Sequence, residues 1–304
     1  MAREFTAMAS ALASTPKNRI GLLAGYGRFP MLFAEAARRA GLEVVCVGIC
    51  DSASAELARM VDSFHWAGIA KLGKMIRTFR RAGVRQVVMA GKVAKTQIYT
   101  PWRFIRFLPD WRFIRVWLSS QRRDNKDDSM LLAVVREFER DGIRIVSALD
   151  FCPELLVKTG FLTRRKPTQS ELKDIEFGWT MAKEMGRLDV GQSVAIKEQA
   201  TLAIEAIEGT DRAILRAGEL CRSGGFTVVK VAKPQQDMRF DVPTVGPDTI
   251  ETLHKAGARV LAIEAEKTIF LDEQETIRLA NQYGLSIVAV RSEEMQATEP
   301  RLAG

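Results

Sequence analysis

The chain has 304 residues, 47% of them hydrophobic and 27% charged, with a formal net charge of +8. That is enough apolar material for large cores and most naturally for two domains, and it excludes a disordered chain or a small disulfide-stapled one. The positive balance favours polyanionic partners; charge alone leaves open nucleic acid, an anionic membrane surface and a phosphorylated substrate.

Two histidines, His65 and His254, and four cysteines without paired C-x-x-C spacing speak against a zinc or thiolate-metal centre. Any metal is then expected to be hard and oxygen-bound, Mg²⁺ or Mn²⁺. Scattered thiols fit a reducing cytoplasm. Residues 1–18 alternate small and polar side chains around Glu4 and Lys17, lack the apolar core of a secretory signal and read as a poorly ordered tail. No apolar run reaches transmembrane length, so a soluble or peripheral protein is expected.

An apolar strand is predicted over residues 19–25, then the loop Gly25-Tyr26-Gly27-Arg28-Phe29-Pro30 and a helix over 31–40. Strand, glycine loop and helix open a mononucleotide-binding unit: glycine lets backbone approach a phosphate, and Pro30 suits a first helical turn. The third glycine of the dinucleotide fingerprint is absent, and tight turn geometry explains the same glycines. A second strand over 43–49 leads to Asp51, which either grips a ribose or, with Ser52, starts a helical segment. A helix over 71–82 and a strand over 86–90 repeat the alternation and end in Gly91-Lys92, where an open α/β sheet delivers ligand contacts.

Residues 99–123 break this pattern, with Trp102, Trp111 and Trp117 interleaved with six arginines and no lysine. Rings at headgroup depth beside guanidinium groups that meet lipid phosphates would make an interfacial segment. A core helix with arginines snorkelling outward explains the same composition, and base stacking uses the same residue types. Next, Asp127 and Asp128 precede an apolar helix over 130–140, where they cap it or ligate a metal. After a strand over 143–147, the irregular stretch 149–168 with Pro153, Gly160 and Pro167 is the expected interdomain connection. The expected class is therefore α/β with two domains: a Rossmann-like parallel sheet over 19–165 and a C-terminal mixed α/β domain over 166–304.

The second half opens with a helix over 169–185 and the turn Gly186-Arg187-Leu188-Asp189-Val190-Gly191-Gln192. Strands over 193–197 and 201–207 form a hairpin, and a helix spans 212–222. Between them Glu208 and Asp211 flank Gly209; they gather round an ion, or Thr210 or Asp211 simply caps the helix. A buried strand from Phe226 runs into Lys230-Val231-Ala232-Lys233-Pro234-Gln235-Gln236-Asp237-Met238-Arg239-Phe240-Asp241-Val242-Pro243-Thr244-Val245-Gly246. Lys and Arg beside Asp suit a phosphate held near a divalent cation, while a solvated turn with surface ion pairs is the plain alternative. Helices over 248–256 and 272–283 and strands over 259–264, 267–271 and 286–290 complete the domain.

The glycine loop, Lys126-Asp127-Asp128-Ser129, Gly186 to Gln192, Glu205-Ala206-Ile207-Glu208-Gly209-Thr210-Asp211, and the run from Ala232 to Gly246 together resemble the LpxI-type UDP-2,3-diacylglucosamine pyrophosphatases, from about residue 18 to the end. The resemblance implies two domains and Mg²⁺-dependent hydrolysis of UDP-2,3-diacylglucosamine to UMP and 2,3-diacylglucosamine 1-phosphate during lipid A synthesis. It also implies that the essential Asp of an Asp-Xaa-Pro-Thr-Xaa-Gly motif is Asp241. The arginine and tryptophan segment is longer and more aromatic than that family's pattern.

Chemistry assigns the remaining roles. Lys233 and Arg239 would neutralise a pyrophosphate, and Asp241 would ligate the metal ahead of acting as a base, because neighbouring cations favour its ionised form. Glu208, Asp211 and Asp128 rank next as ligands. Substrate contacts are expected from Gly25, Gly27 and Lys92 in the first half. Gln192, Thr210, Lys230, Gln236 and Thr244 would supply them in the second. The partners expected are a lipid-linked sugar nucleotide and an anionic membrane surface, with a peripheral cytoplasmic location on the inner membrane. No nucleic acid is expected, and a homodimer is left open. A nicotinamide-dependent oxidoreductase built on Gly25, Gly27 and Asp51 is the rival class, and a noncatalytic RNA- or membrane-binding module using 99–123 is the third.

Overall fold

The computed structural model describes residues 18–92, 108–121, 127–239 and 241–296. The chain divides between Cys152 and Pro153 into two compact units, a point inside the 149–168 stretch.

The first unit is a five-stranded sheet of β1 (Arg19–Ala24), β2 (Glu43–Ile49), β3 (Ser63–Ala67), β4 (Gln86–Ala90) and β5 (Arg144–Val146). Its order is β3-β2-β1-β4-β5 and every pair is parallel, as the alternation of strand and helix predicts. The helices are α1 (Phe29–Arg39), α2 (Leu72–Arg81), α3 (Trp111–Gln121) and α4 (Asp127–Glu139). β3 escapes a reading of apolar runs because it is an edge strand in which only Ala67 is buried. Asp51 sits in the left-handed region at φ 61°, and the cap expected from Asp51-Ser52 comes instead from Ser54, whose hydroxyl accepts Glu56 N–H ahead of a 3₁₀ turn at Ala55–Arg59.

The strand order reverses between β1 and β4, so the loops after these two strands meet. Tyr26 and Lys92 exchange backbone hydrogen bonds of 2.7 and 2.9 Å, and Gly25 N–H donates to Ala90 O. A Cβ on Gly25 would lie 2.6 Å from Lys92 O, and one on Gly91 2.8 Å from Tyr26 O. Both glycines thus answer to the contact of two backbones, a reason local to the fold.

Of the arginine and tryptophan segment, residues 99–107, 122 and 123 lie outside the described residues, Trp102 among them. Within α3 the expected polarity of a core helix is inverted. Trp111 is 74% exposed, and Trp117, Leu118 and the preceding Leu108 are exposed too. Arg112 instead pairs with Asp141 and Glu137, and Arg115 with Glu137, a buried residue of α4 that Arg140 also reaches at 2.9 Å. Burying Glu137 requires such partners, and the arginines are drawn to it. The Arg112 hydrogen bond holds the Asp141 carboxyl below its usual range despite burial. Asp110 caps two helices at once: Oδ1 accepts Phe113 N–H of α3 at 3.0 Å, and Oδ2 accepts Gly73 and Lys74 N–H of α2 at 2.6 and 3.2 Å.

The second unit holds a six-stranded mixed sheet of order β6-β13-β11-β9-β7-β8, made of β6 (Gly160–Phe161), β7 (Ser193–Lys197), β8 (Ala200–Ile204), β9 (Phe226–Lys230), β11 (Ala258–Glu264) and β13 (Ser286–Val290). β10 (Thr244–Val245) and β12 (Ile269–Phe270) pair in parallel beside it. The helices are α5 (Gln169–Arg187), α6 (Thr210–Leu220), α7 (Pro247–Ala256), α8 (Glu273–Gln282) and α9 (Ser292–Gln296). All five residues of β9 are buried, as a central strand requires. Phe226 and Val228 join one apolar cluster with Ile214, Ile250 and Leu253, while Val229 and Val231 join another with Ile175, Trp179 and Ala182 of α5. Helices therefore cover both faces of the sheet, and α5 starts with a capping box in which Thr168 and Glu171 satisfy each other's N–H groups.

Candidate functional site

One end of the six-stranded sheet collects most of the residues singled out in the second half of the chain. Lys230 ends β9 opposite Ser193, the first residue of antiparallel β7, and opposite Ile263 of parallel β11. Val194 pairs with Ile204, so Glu205 leaves β8 at the same end. There Gln192, Ser193, Glu205, Lys230 and Glu264 converge from four strands, although they span 73 positions of sequence. A glycine is required at 191, since a Cβ there would lie 2.0 Å from Glu205 O.

The polar run leaves β9 through a clamp. Ala232 N–H donates to Glu264 Oε2 at 2.8 Å and Ala232 O accepts Lys183 Nζ at 3.0 Å, while Lys183 and Glu264 are themselves 2.6 Å apart. Glu264 is fully buried and also accepts Ser292 Oγ at 2.7 Å and Lys267 Nζ at 3.0 Å. Burial pushes the Glu264 carboxyl up, but the hydrogen bonds from Lys183 and Ser292 outweigh it and the net direction is down. At Lys183 burial outweighs the hydrogen bond and attraction of Glu264, and with repulsion from Lys267 it holds the ammonium below the usual lysine range.

Beyond the clamp, Lys233 Nζ donates to Asp189 Oδ1 at 2.6 Å, Lys233 N–H donates to Gln236 Oε1 at 2.8 Å, and Gln236 Nε2 donates to Gln192 Oε1 at 3.3 Å. Arg239 grips Asp237 through Nε and Nη2, and this pairing outweighs burial to hold the Asp237 carboxyl below its usual range. Asp241 is half-buried and its N–H donates to Asp237 O at 3.1 Å. Its carboxylate takes part in none of the hydrogen bonds or ion pairs among the described residues, which leaves it available to a ligand. Lys230 is only 5% exposed; its ammonium donates to Thr210 Oγ1 at 3.3 Å and to Thr244 O at 3.0 Å, supporting the turn after Asp241 from within.

Thr210 and Asp211 are not caps of α6. The cap position is Gly209 at φ 84°, no side chain serves it, and the Thr210 hydroxyl turns to Glu205 Oε1 at 2.9 Å. Glu208 pairs with Arg216 at 2.6 Å; its own backbone N–H, then Arg216, hold its carboxyl below the usual range. Asp211 is exposed in the first turn of α6. Asp128 lies in α4 of the first unit, and its side chain falls outside the described residues. Gly25, Gly27 and Lys92 lie in that same unit, Gly25 against the Lys92 backbone. Among the described residues no group of three Asp, Glu, His or Cys side chains is placed to hold a metal. A hard cation held by one free carboxylate and by substrate phosphate oxygens fits this donor set, whereas an all-protein cage does not.

Asp189 and Glu205 stand in the quoted motifs without an assigned role, and Lys183 and Glu264 stand in none of them. A signal for two of these four residues was present: Leu-Ala-Ile-Glu-Ala occurs at residues 202–206 and again at 261–265, each time placing an acid where an apolar strand ends. Both carboxylates are buried in the fold.

Comparison with known proteins follows the same division. A model of the LpxI N-terminal domain matches residues 19–155, and one of the LpxI C-terminal domain matches residues 158–288. The chain belongs to the LpxI family. Its LpxI relative from Caulobacter vibrioides, named UDP-2,3-diacylglucosamine pyrophosphatase, is 31% identical over 286 residues, 91% of this chain and 99% of that protein. Among solved structures, the biotin carboxylase domain of a thermophilic 2-oxoglutarate carboxylase is 14% identical, with 59% of this LpxI chain and 34% of that chain covered at a TM-score of 0.26. The biotin carboxylase subunit of pyruvate carboxylase is 12% identical, with 68% and 39% covered at 0.25. Likeness this low carries no argument about the LpxI fold or site.

Proposed function

We propose that this protein hydrolyses the pyrophosphate bond of UDP-2,3-diacylglucosamine, with Mg²⁺, to UMP and 2,3-diacylglucosamine 1-phosphate in lipid A synthesis. The observation that carries the reading is the available Asp241 carboxylate in a turn supported by Lys230 and preceded by Lys233 and Arg239, in a member of the LpxI family. A pyrophosphate diester carries two negative charges that repel an incoming oxygen nucleophile. Lys233 and Arg239 are held by Asp189 and Asp237, and in this reading they would set cationic groups beside the leaving phosphate without having to reorganise. Asp241 would hold the metal, which when bound lowers the charge on the phosphate oxygens. Gln192 and Gln236, joined side chain to side chain, offer neutral donors and acceptors for the remainder of the nucleotide. Nothing comparable favours the oxidoreductase reading, since Gly25 is accounted for by the contact with Lys92 O.

The test incubates purified protein with UDP-2,3-diacylglucosamine in ¹⁸O water, with and without EDTA, and reads both products by mass spectrometry. One ¹⁸O in a single product and loss of turnover with EDTA are expected; an intact substrate at high enzyme concentration sinks the proposal.

The same reading gives the exposed face of α3 a role in reaching a diacylated substrate. No helix among the described residues is long and apolar enough to cross a membrane. Trp111, Trp117 and Leu118 point outward while Arg112 and Arg115 are taken up by Glu137 and Asp141. Contact with the bilayer would therefore be made by rings more than by guanidinium groups. In liposome flotation, replacing Trp111 and Trp117 by Ser is expected to lower the bound fraction about tenfold. Unchanged binding removes α3 from the membrane contact.

A further inference from the structure

Glu205 is 9% exposed and its two carboxylate oxygens differ. Oε1 accepts the Thr210 hydroxyl at 2.9 Å; Oε2 is buried without a hydrogen-bond partner. A carboxylate oxygen left so is costly, and its retention calls for a reason. The hydroxyl has one proton, and committing it to Glu205 leaves Thr210 Oγ1 with lone pairs alone for its other neighbours. Lys230 Nζ donates into them at 3.3 Å, and Ser193 Oγ, at 3.4 Å, is then a donor as well. A second Lys230 proton goes to Thr244 O at 3.0 Å, and the Thr244 hydroxyl donates to Val242 O at 3.1 Å. Carbonyl, ammonium, hydroxyl and carboxylate thus form one directional chain from the Asp241 turn back to the end of β8.

We propose that Glu205 is a positioning residue for Asp241. It fixes the direction of the Thr210 hydroxyl and through it holds the Lys230 ammonium against the Thr244 carbonyl, so that the turn presents Asp241 in one place. The inference rests on Asp241 being the catalytic carboxylate, and it adds that a side chain of another strand governs where that carboxylate sits.

The experiment compares wild type, Glu205→Leu, Thr210→Val and the double variant. It measures kcat and KM on UDP-2,3-diacylglucosamine, and deuterium uptake in peptides covering residues 241–246 and, as a control, 43–49. Each single variant is expected to lower kcat about 10- to 100-fold with KM within about threefold, and the double to be no worse than the poorer single, because both act along one chain. Uptake is expected to rise at 241–246 and not at 43–49. The proposal is overturned by a folded Glu205→Leu with kcat within about twofold of wild type, by a double variant whose loss is the product of the singles, or by unchanged uptake at 241–246. A wild type that does not hydrolyse the substrate defeats the catalytic reading by itself, and uptake still decides whether Glu205 holds the turn.

Discussion

Asp241→Ala is expected to lower turnover about a thousandfold or more while leaving the second unit as stable as wild type to within about 0.5 kcal/mol. The two halves of that expectation have separate causes. The carboxylate is half-buried and takes part in no hydrogen bond or ion pair among the described residues, so truncating it strands no partner, and the backbone bond from its N–H to Asp237 O survives the change. The group removed is nonetheless the proposed metal ligand, so a bound pyrophosphate would lose the cation that offsets its charge. Asp241→Asn separates shape from charge and should be nearly as inactive. Steady-state turnover and urea melts of the same preparations check both halves; a folded Ala variant with wild-type turnover refutes the role.

Glu264 offers the opposite profile. Replacing it by Leu leaves the Lys183 ammonium in the interior with the Ala232 carbonyl and also strands Ala232 N–H, at a cost of about 3–5 kcal/mol. Adding Lys183→Met removes the stranded charge, and the pair is expected to regain most of the loss, because a well-packed apolar pair often equals a buried ion pair. Acid behaviour follows from the direction of the shift. The folded-state carboxyl lies below its ordinary value, so its contribution is present above the usual Glu range and disappears as pH falls through the folded value. Denaturant midpoints of the singles and the double at neutral pH, repeated towards pH 3, test this; a Glu264→Leu protein as stable as wild type would show the clamp to be idle.

The elements that an apolar period defines were legible in the chain. β1, β2, β4, β9 and β13 are short hydrophobic runs bounded by Gly, Asp or Lys, and burial on both faces makes such runs unambiguous. β3 was not legible, because an edge strand with a wet face mixes Ser, Phe, His and Trp. Partners far apart in sequence were the harder matter. Glu208 and Asp211 look like ligands beside a glycine, yet Arg216, two turns along α6, has taken Glu208. Arg112 and Arg115 look like lipid contacts, yet a buried acid on α4 outcompetes the solvent for them. The repeated Leu-Ala-Ile-Glu-Ala marks Glu205 and Glu264 as strand-end acids, but what they hold emerges only when β8, β7, β9 and β11 are laid side by side.

Asp110 has a mechanical consequence. One side chain ties the amino ends of α2 and α3, so neither helix tilts without drawing on the other. A ring at Trp111 seated in a bilayer would transmit its tug through that single carboxylate to α2, whose inner side is packed into the parallel sheet. Anchorage of the first unit to a surface would then be stiff rather than a loose tether.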